Sequence, residues 1–124
     1  MNIPANLKYS NDHEWILVEG NIATIGITDF AQGQLGDVVF VDIQTEGETL
    51  ESGEVFGAIE AVKTVADGLM PVSGKIIEIN SSLESAPESV NKDPYGSGWM
   101  IKVELTNPAE LDTLMNAEKY KSIL

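Results

Sequence analysis

The 124-residue chain contains no cysteine, no arginine and one histidine, His13. Without thiols it can form neither a disulfide nor a thiolate metal site, and one imidazole leaves little for a transition metal. Any disulfide chemistry must be brought by a cofactor. Seven lysines stand against 20 aspartates and glutamates, for a formal net charge of -13, which repels a phosphate backbone or an anionic bilayer. Neither nucleic acid nor membrane is an expected partner; the charge serves solubility or steers the chain toward cationic patches on partner proteins. No stretch approaches the length of a membrane span, and the opening residues MNIPANLKYS have neither an apolar core nor a basic run, so no signal peptide is predicted.

What is present, 43% hydrophobic and 22% charged residues, is ordinary for a soluble globular protein. One domain over residues 1–124 is expected, burying roughly two-thirds of the surface of the unfolded chain. Residues 15–18, then Gly20-Asn21, then IATIGI read as two strands joined by a tight hairpin, since Gly-Asn supplies positive φ. Thr28 or Asp29 can cap a short connector helix, with Gln32 in box-like spacing and Gly33 or Gly36 ending it. DVVFVDI is a β-branched strand, Gly47 and Gly53 mark turns, and KIIEIN follows a turn at Pro71-Val72-Ser73-Gly74.

The run SSLESAPESVNKDPYGSG is rich in turn formers and is expected to wrap the surface. Beyond it Trp99, Ile101, Val103 and Leu105 alternate with Met100, Lys102 and Glu104. Asn107 as cap, Pro108 and Glu110 then predict a terminal helix placing Leu111, Leu114 and Met115 on one face. At least six short strands without βαβ alternation predict an all-β antiparallel sandwich or barrel-sandwich hybrid with a connector helix and a C-terminal helix. Trp15, Trp99, Ile25, Ile27, Val39, Val41 and Ile76 are the expected core.

Within VFGAIEAVKTVADGLMPVSGKI, Lys63 lies midway between Gly53 and Gly74, so two extended arms place it at a hairpin tip. An amine there stays hydrated and accessible to an enzyme that must enclose it. Val62 and Val65 flank the tip where an ordinary hairpin prefers Asn, Asp or Gly, so something besides turn formation selects these residues.

Several ordered blocks resemble the H protein family of the glycine cleavage system: His13-Glu14-Trp15, ATIGITDFAQGQLGDVVFV, PVSGKIIEIN, NKDPYGSGWMIKV and NPAEL, together covering about residues 7–120. The family usually shows ESVKA where this chain has EAVKT, retaining Glu60, Val62, Lys63 and Asp67. The resemblance implies a carrier rather than an enzyme, with lipoic acid in amide linkage on Lys63. It implies shuttling of an aminomethyl group from a pyridoxal-phosphate glycine decarboxylase to a tetrahydrofolate-dependent aminomethyltransferase, followed by reoxidation by a flavin dihydrolipoyl dehydrogenase. A lipoate ligase or lipoyl transferase would attach the arm and read Glu60, while Glu14 and Asp67 would hold the charged amine in a cleft. His13 is expected to close a turn rather than do chemistry. The alternative use of such an arm is an H-like lipoyl relay or redox carrier outside glycine cleavage. A monomer is expected, in the bacterial cytoplasm, or in the mitochondrial matrix for a processed eukaryotic chain.

Overall fold

A computed structural model describes residues 1–124. In chain order the strands are β1 (Lys8–Tyr9), β2 (Glu14–Glu19), β3 (Ile22–Ile27), β4 (Val38–Asp42), β5 (Thr49–Leu50), β6 (Val55–Ala61), β7 (Val65–Leu69), β8 (Gly74–Ile79) and β9 (Ile101–Leu105). Helix α1 (Asp29–Leu35) joins β3 to β4, α2 (Ser89–Lys92) lies between β8 and β9, and α3 (Ala117–Ser122) closes the chain. All pairings are antiparallel, in a six-stranded sheet of order β1-β2-β3-β9-β8-β5 and a three-stranded sheet of order β4-β6-β7. The expected antiparallel architecture is present as two sheets rather than a closed barrel. No helix is long and apolar enough to cross a membrane.

The alternation of a β-strand places Ile16 and Trp15 on opposite faces of β2. Ile16 joins the main core with Ile25, Val41, Phe56, Ile59, Ile76 and others. Trp15 joins a second cluster with Leu7, Tyr9, Ala117 and Tyr120. The indole of Trp15 donates to the Pro94 carbonyl at 2.9 Å. It crosses its neighbour Gly26 so closely that a Cβ there would come within 2.7 Å of Nε1, so only glycine fits. The β2–β3 hairpin turns at Gly20, with φ 64°. Thr28 caps α1 by accepting from Ala31 N, and Gly36, at φ 79°, ends it. Gln32 reaches back to Asp29 as its spacing suggests, with Nε2 2.7 Å from Oδ1.

Four expectations are corrected. Val39 is 54% exposed rather than core, because a bulge between Val38 and Phe40 breaks the alternation of β4. Trp99 is half-buried, and fully buried Met100 enters the core instead. The reason is that Trp99 precedes the ladder, its N–H closing a turn onto the Gly96 carbonyl. The supposed surface wrap also plugs the core, since Leu83 and Val90 are buried in the main cluster.

The terminal helix is divided into a 3-10 segment, Pro108–Thr113, and α3. Asn107 makes no side-chain cap; Asn116 does, accepting from Lys119 N. Met115 forces the division. Its N–H and C=O both bond to Tyr9, which leaves neither for a helix.

Candidate functional site

The β6–β7 register pairs Glu60 with Val65, and Ala61 N donates to Thr64 O at 2.8 Å, leaving Val62 and Lys63 at the tip. Neither has positive φ, so this turn has no need of Asn or Gly. Its support comes from outside: Val62 N donates to the Asp37 carbonyl, 2.9 Å away, just beyond α1. The side chain of Lys63 is exposed, and its stem runs past Gly36, where a Cβ would stand 3.4 Å from Lys63 Cε. Every other lysine lies on the six-stranded sheet or on α2 and α3, so Lys63 is the one cation on the three-stranded sheet. No group of three or more His, Asp or Glu side chains is arranged to hold a metal.

Beside the tip, a cleft of about 190 Å³ opens between α1, the turn before β2, and strands β6 and β7. Ile27, Phe30, Leu35 and Ile59 give it apolar walls, Glu14 supplies a carboxyl group, and Asp67 borders it at the edge strand β7, on the outward row of the register. Lys63 does not line it; Leu35 does, and the next residue, Gly36, supports the Lys63 stem. The two carboxyls expected to act together thus share one cleft, next to the anchor of the lysine.

Their surroundings differ. Asp67 is exposed on the edge strand β7, whereas Glu14 is only 2% exposed. Glu14 Oε2 accepts from Leu69 N at 3.0 Å and Oε1 from Ser10 Oγ at 3.1 Å. Glu14 therefore caps an edge N–H of the small sheet from a strand of the large one. Burial pushes its pKa from 4.5 up to about 8; the Leu69 N–H and the Ser10 hydroxyl oppose the rise, and the charge of Asp12 adds to it. Burial thus biases the Glu14 carboxyl toward its protonated form.

His13 closes a turn. Its N–H donates to Ser10 O and its carbonyl accepts from Thr28 N. At φ 64° it is the only non-glycine residue in left-handed conformation. The ring is fixed by Tyr120, whose hydroxyl lies 2.8 Å from Nδ1 and 2.7 Å from Thr28 Oγ1.

Glu60 stands apart from the cleft. Ile59 and Ala66 line the inner side, so the row paired through Phe40, Glu60 and Val65 faces outward. Reasoning from residue types did not single out Ser10, Tyr120, Phe30 or Asn91 as contributors. Asn91 accepts from Val38 N and donates to Gln32 Oε1 and Gly36 O, bracing the end of α1 against which Lys63 rests. Its polarity in a turn-rich segment was the only available signal.

Comparison with known proteins agrees over nearly the full chain. The family model described as "Glycine cleavage H-protein" matches residues 7–124. A glycine cleavage system H protein of Bacteroides fragilis is 61% identical over 124 residues, 100% of this chain and 98% of its own. One from Symbiobacterium thermophilum is 60% identical over 119 residues, 96% of this chain and 93% of its own. The crystal structure of a glycine cleavage system H protein from Mycobacterium marinum superposes with a TM-score of 0.89 at 38% identity, covering 98% of both chains.

Proposed function

The chain belongs to the glycine cleavage H-protein family, and from that premise we propose that it carries lipoate on Lys63 and no catalytic group of its own. The observation that carries this reading is the isolation of Lys63, which stands on a braced tip as the one cation of its sheet. In the attachment step Nζ forms an amide with the carbonyl carbon of an activated lipoyl donor. The bond from that carbon to the leaving group breaks, and Nζ loses a proton.

The residues fit such a group. The cleft is smaller than the roughly 300 Å³ of a typical small-molecule pocket, which suits the end of an arm rather than its whole length. Its apolar walls lie one residue from the glycine under the Lys63 stem. When bound, lipoate would supply a cyclic disulfide whose S–S bond a nucleophilic aminomethyl carbon can open, forming a C–S bond and freeing the second sulfur as a thiol, and a dithiol that can be reoxidised. The partners are the glycine decarboxylase, the aminomethyltransferase and the dihydrolipoyl dehydrogenase, to which the arm presents itself at an effective concentration on the order of millimolar.

Between visits the cleft residues shelter the aminomethyl-bearing end. Asp67 meets its ammonium at the mouth. Glu14 meets it within, giving up its proton as the cation arrives, because an opposite charge nearby favours the ionised form. Charge-assisted bonds of this kind contribute about 1.5–3 kcal/mol each.

Lys63→Arg keeps the charge but removes the acylation site. It should leave the fold and unfolding midpoint unchanged while abolishing glycine–bicarbonate exchange with the partner enzymes. Retained exchange would refute the assignment.

A further inference from the structure

We propose that the outer face of the β4–β6–β7 sheet is the docking surface for the enzyme that acylates Lys63, and that this enzyme presents an apolar surface interspersed with lysine or arginine. The inference rests on the carrier reading above and extends it to a surface and a partner chemistry.

Five of the nine large hydrophobic side chains exposed on the molecule lie on this sheet or its tip: Val39, Phe40, Val55, Val62 and Val65. Three of the other four, Met1, Ile123 and Leu124, are at the chain ends. Single exposed apolar residues need no explanation, but a contiguous set on one face marks an interaction site. The register shows how apolar and acidic side chains alternate on this face, with Glu60 between Phe40 and Val65. Phe40, Glu60 and Val65 form one row across the three strands, 46% exposed at Phe40 and 59% at Val65, and Asp42, Ala58 and Asp67 form the next.

Charge narrows the choice of partner. The two rows carry Asp42, Glu60 and Asp67, and the only cation nearby is Lys63, which loses its charge on acylation. Past Phe40 the surface falls into a groove of about 760 Å³ whose lining includes Asp42, Glu46, Glu78 and Glu84. Apolar side chains interspersed with carboxylates complement an apolar surface interspersed with cations.

Reach identifies which enzyme must use the face. Before acylation Nζ extends no further than a lysine side chain, so the acylating enzyme has to bring its catalytic groups against the tip itself. Enzymes acting later work at the end of a long arm and are under no such constraint. One side of the tip is already occupied, by Gly36 and Asp37 at the end of α1. The open approach lies over Val62, Val65 and the Glu60 row.

The test uses the full chain prepared without lipoate, a lipoate–protein ligase with lipoate and ATP, and intact mass as the readout of acylation rate at varied protein concentration. Threonine preserves strand propensity while removing apolar contact. Phe40→Thr and Val65→Thr should each lower kcat/KM about tenfold, chiefly through KM, as expected for a contact residue of moderate weight. Ile77→Thr, exposed on β8 of the other sheet, should acylate normally. Added salt should slow the wild type more than Glu60→Gln. Unfolding midpoints accompany each variant, and if Phe40→Thr fails to fold, Val62→Thr at the tip takes its place with the same expected loss. Rates for Val65→Thr and its companion within twofold of wild type overturn the docking face while leaving Lys63 as the site. Acylation of the wild type at a residue other than Lys63 overturns the carrier reading, and the docking face with it.

Discussion

Glu14→Gln removes a titrating group from beneath the edge of the small sheet while keeping an oxygen to accept from Leu69 N. In the folded protein the Glu14 carboxyl has a pKa of about 8 against an ordinary 4.5. Below pH 4.5 folded and unfolded chains both hold the proton, and the group contributes nothing to pH dependence. Between 4.5 and 8 the folded chain holds a proton that the unfolded chain has released, so stability falls as pH rises and levels off above 8. At about 1.4 kcal/mol per unit the full cost is roughly 4–5 kcal/mol, and relaxation around the carboxylate reduces it to about 2–4 kcal/mol. Urea unfolding of wild type and Glu14→Gln from pH 5 to pH 9 measures it. Asp12, His13 and Asp67 also border the cleft and are present in both proteins. Relative to the variant, the wild type should lose about 2–4 kcal/mol over that range. A difference that stays constant to within about 0.5 kcal/mol, the scatter of ordinary surface substitutions, would refute the account of a buried, protonated carboxyl.

Asp67→Asn should shorten the lifetime of the aminomethyl-loaded protein about tenfold, at the low end for a charge-assisted bond because Asp67 is exposed. Release of ammonia and formaldehyde from loaded protein measures this, and an unchanged lifetime removes Asp67 from the cleft's function. Asn91→Ala leaves Val38 N without an acceptor and Gly36 O without that donor. The expected loss is about 1–3 kcal/mol in urea unfolding, partly recovered by Asn91→Asp, which restores only the acceptor. Equal stabilities of Asn91→Ala and wild type would show that the brace is dispensable.

The elements legible in the sequence were those fixed by local chemistry. Gly20-Asn21 turns a hairpin, Thr28 caps α1, and Lys63 sits at a tip because the strands on either side pair in register. Where long-range contacts decide, local patterns misled. Val39 fits the alternation of β4, but a bulge set by pairing with β6 turns it outward. Asn107-Pro108 reads as a good helix start, yet pairing of Met115 with Tyr9, more than a hundred residues away, interrupts the helix. The candidate site divides in the same way. Lys63 was visible from spacing, and the shared cleft of Glu14 and Asp67 came only with the resemblance. The burial of Glu14 was invisible, because it depends on Leu69 reaching across from another sheet.

The backbone bonds at the β6–β7 turn, Val62 to Asp37 and Ala61 to Thr64, bear on how a tether searches space. For a Lys63 acylated as proposed, with its mast held still, the swing of the boom would come entirely from rotatable single bonds in the side chain and its extension. The volume swept is then centred on one point of the molecule, so a visiting enzyme is served according to its distance from that point rather than by any bending of the hairpin.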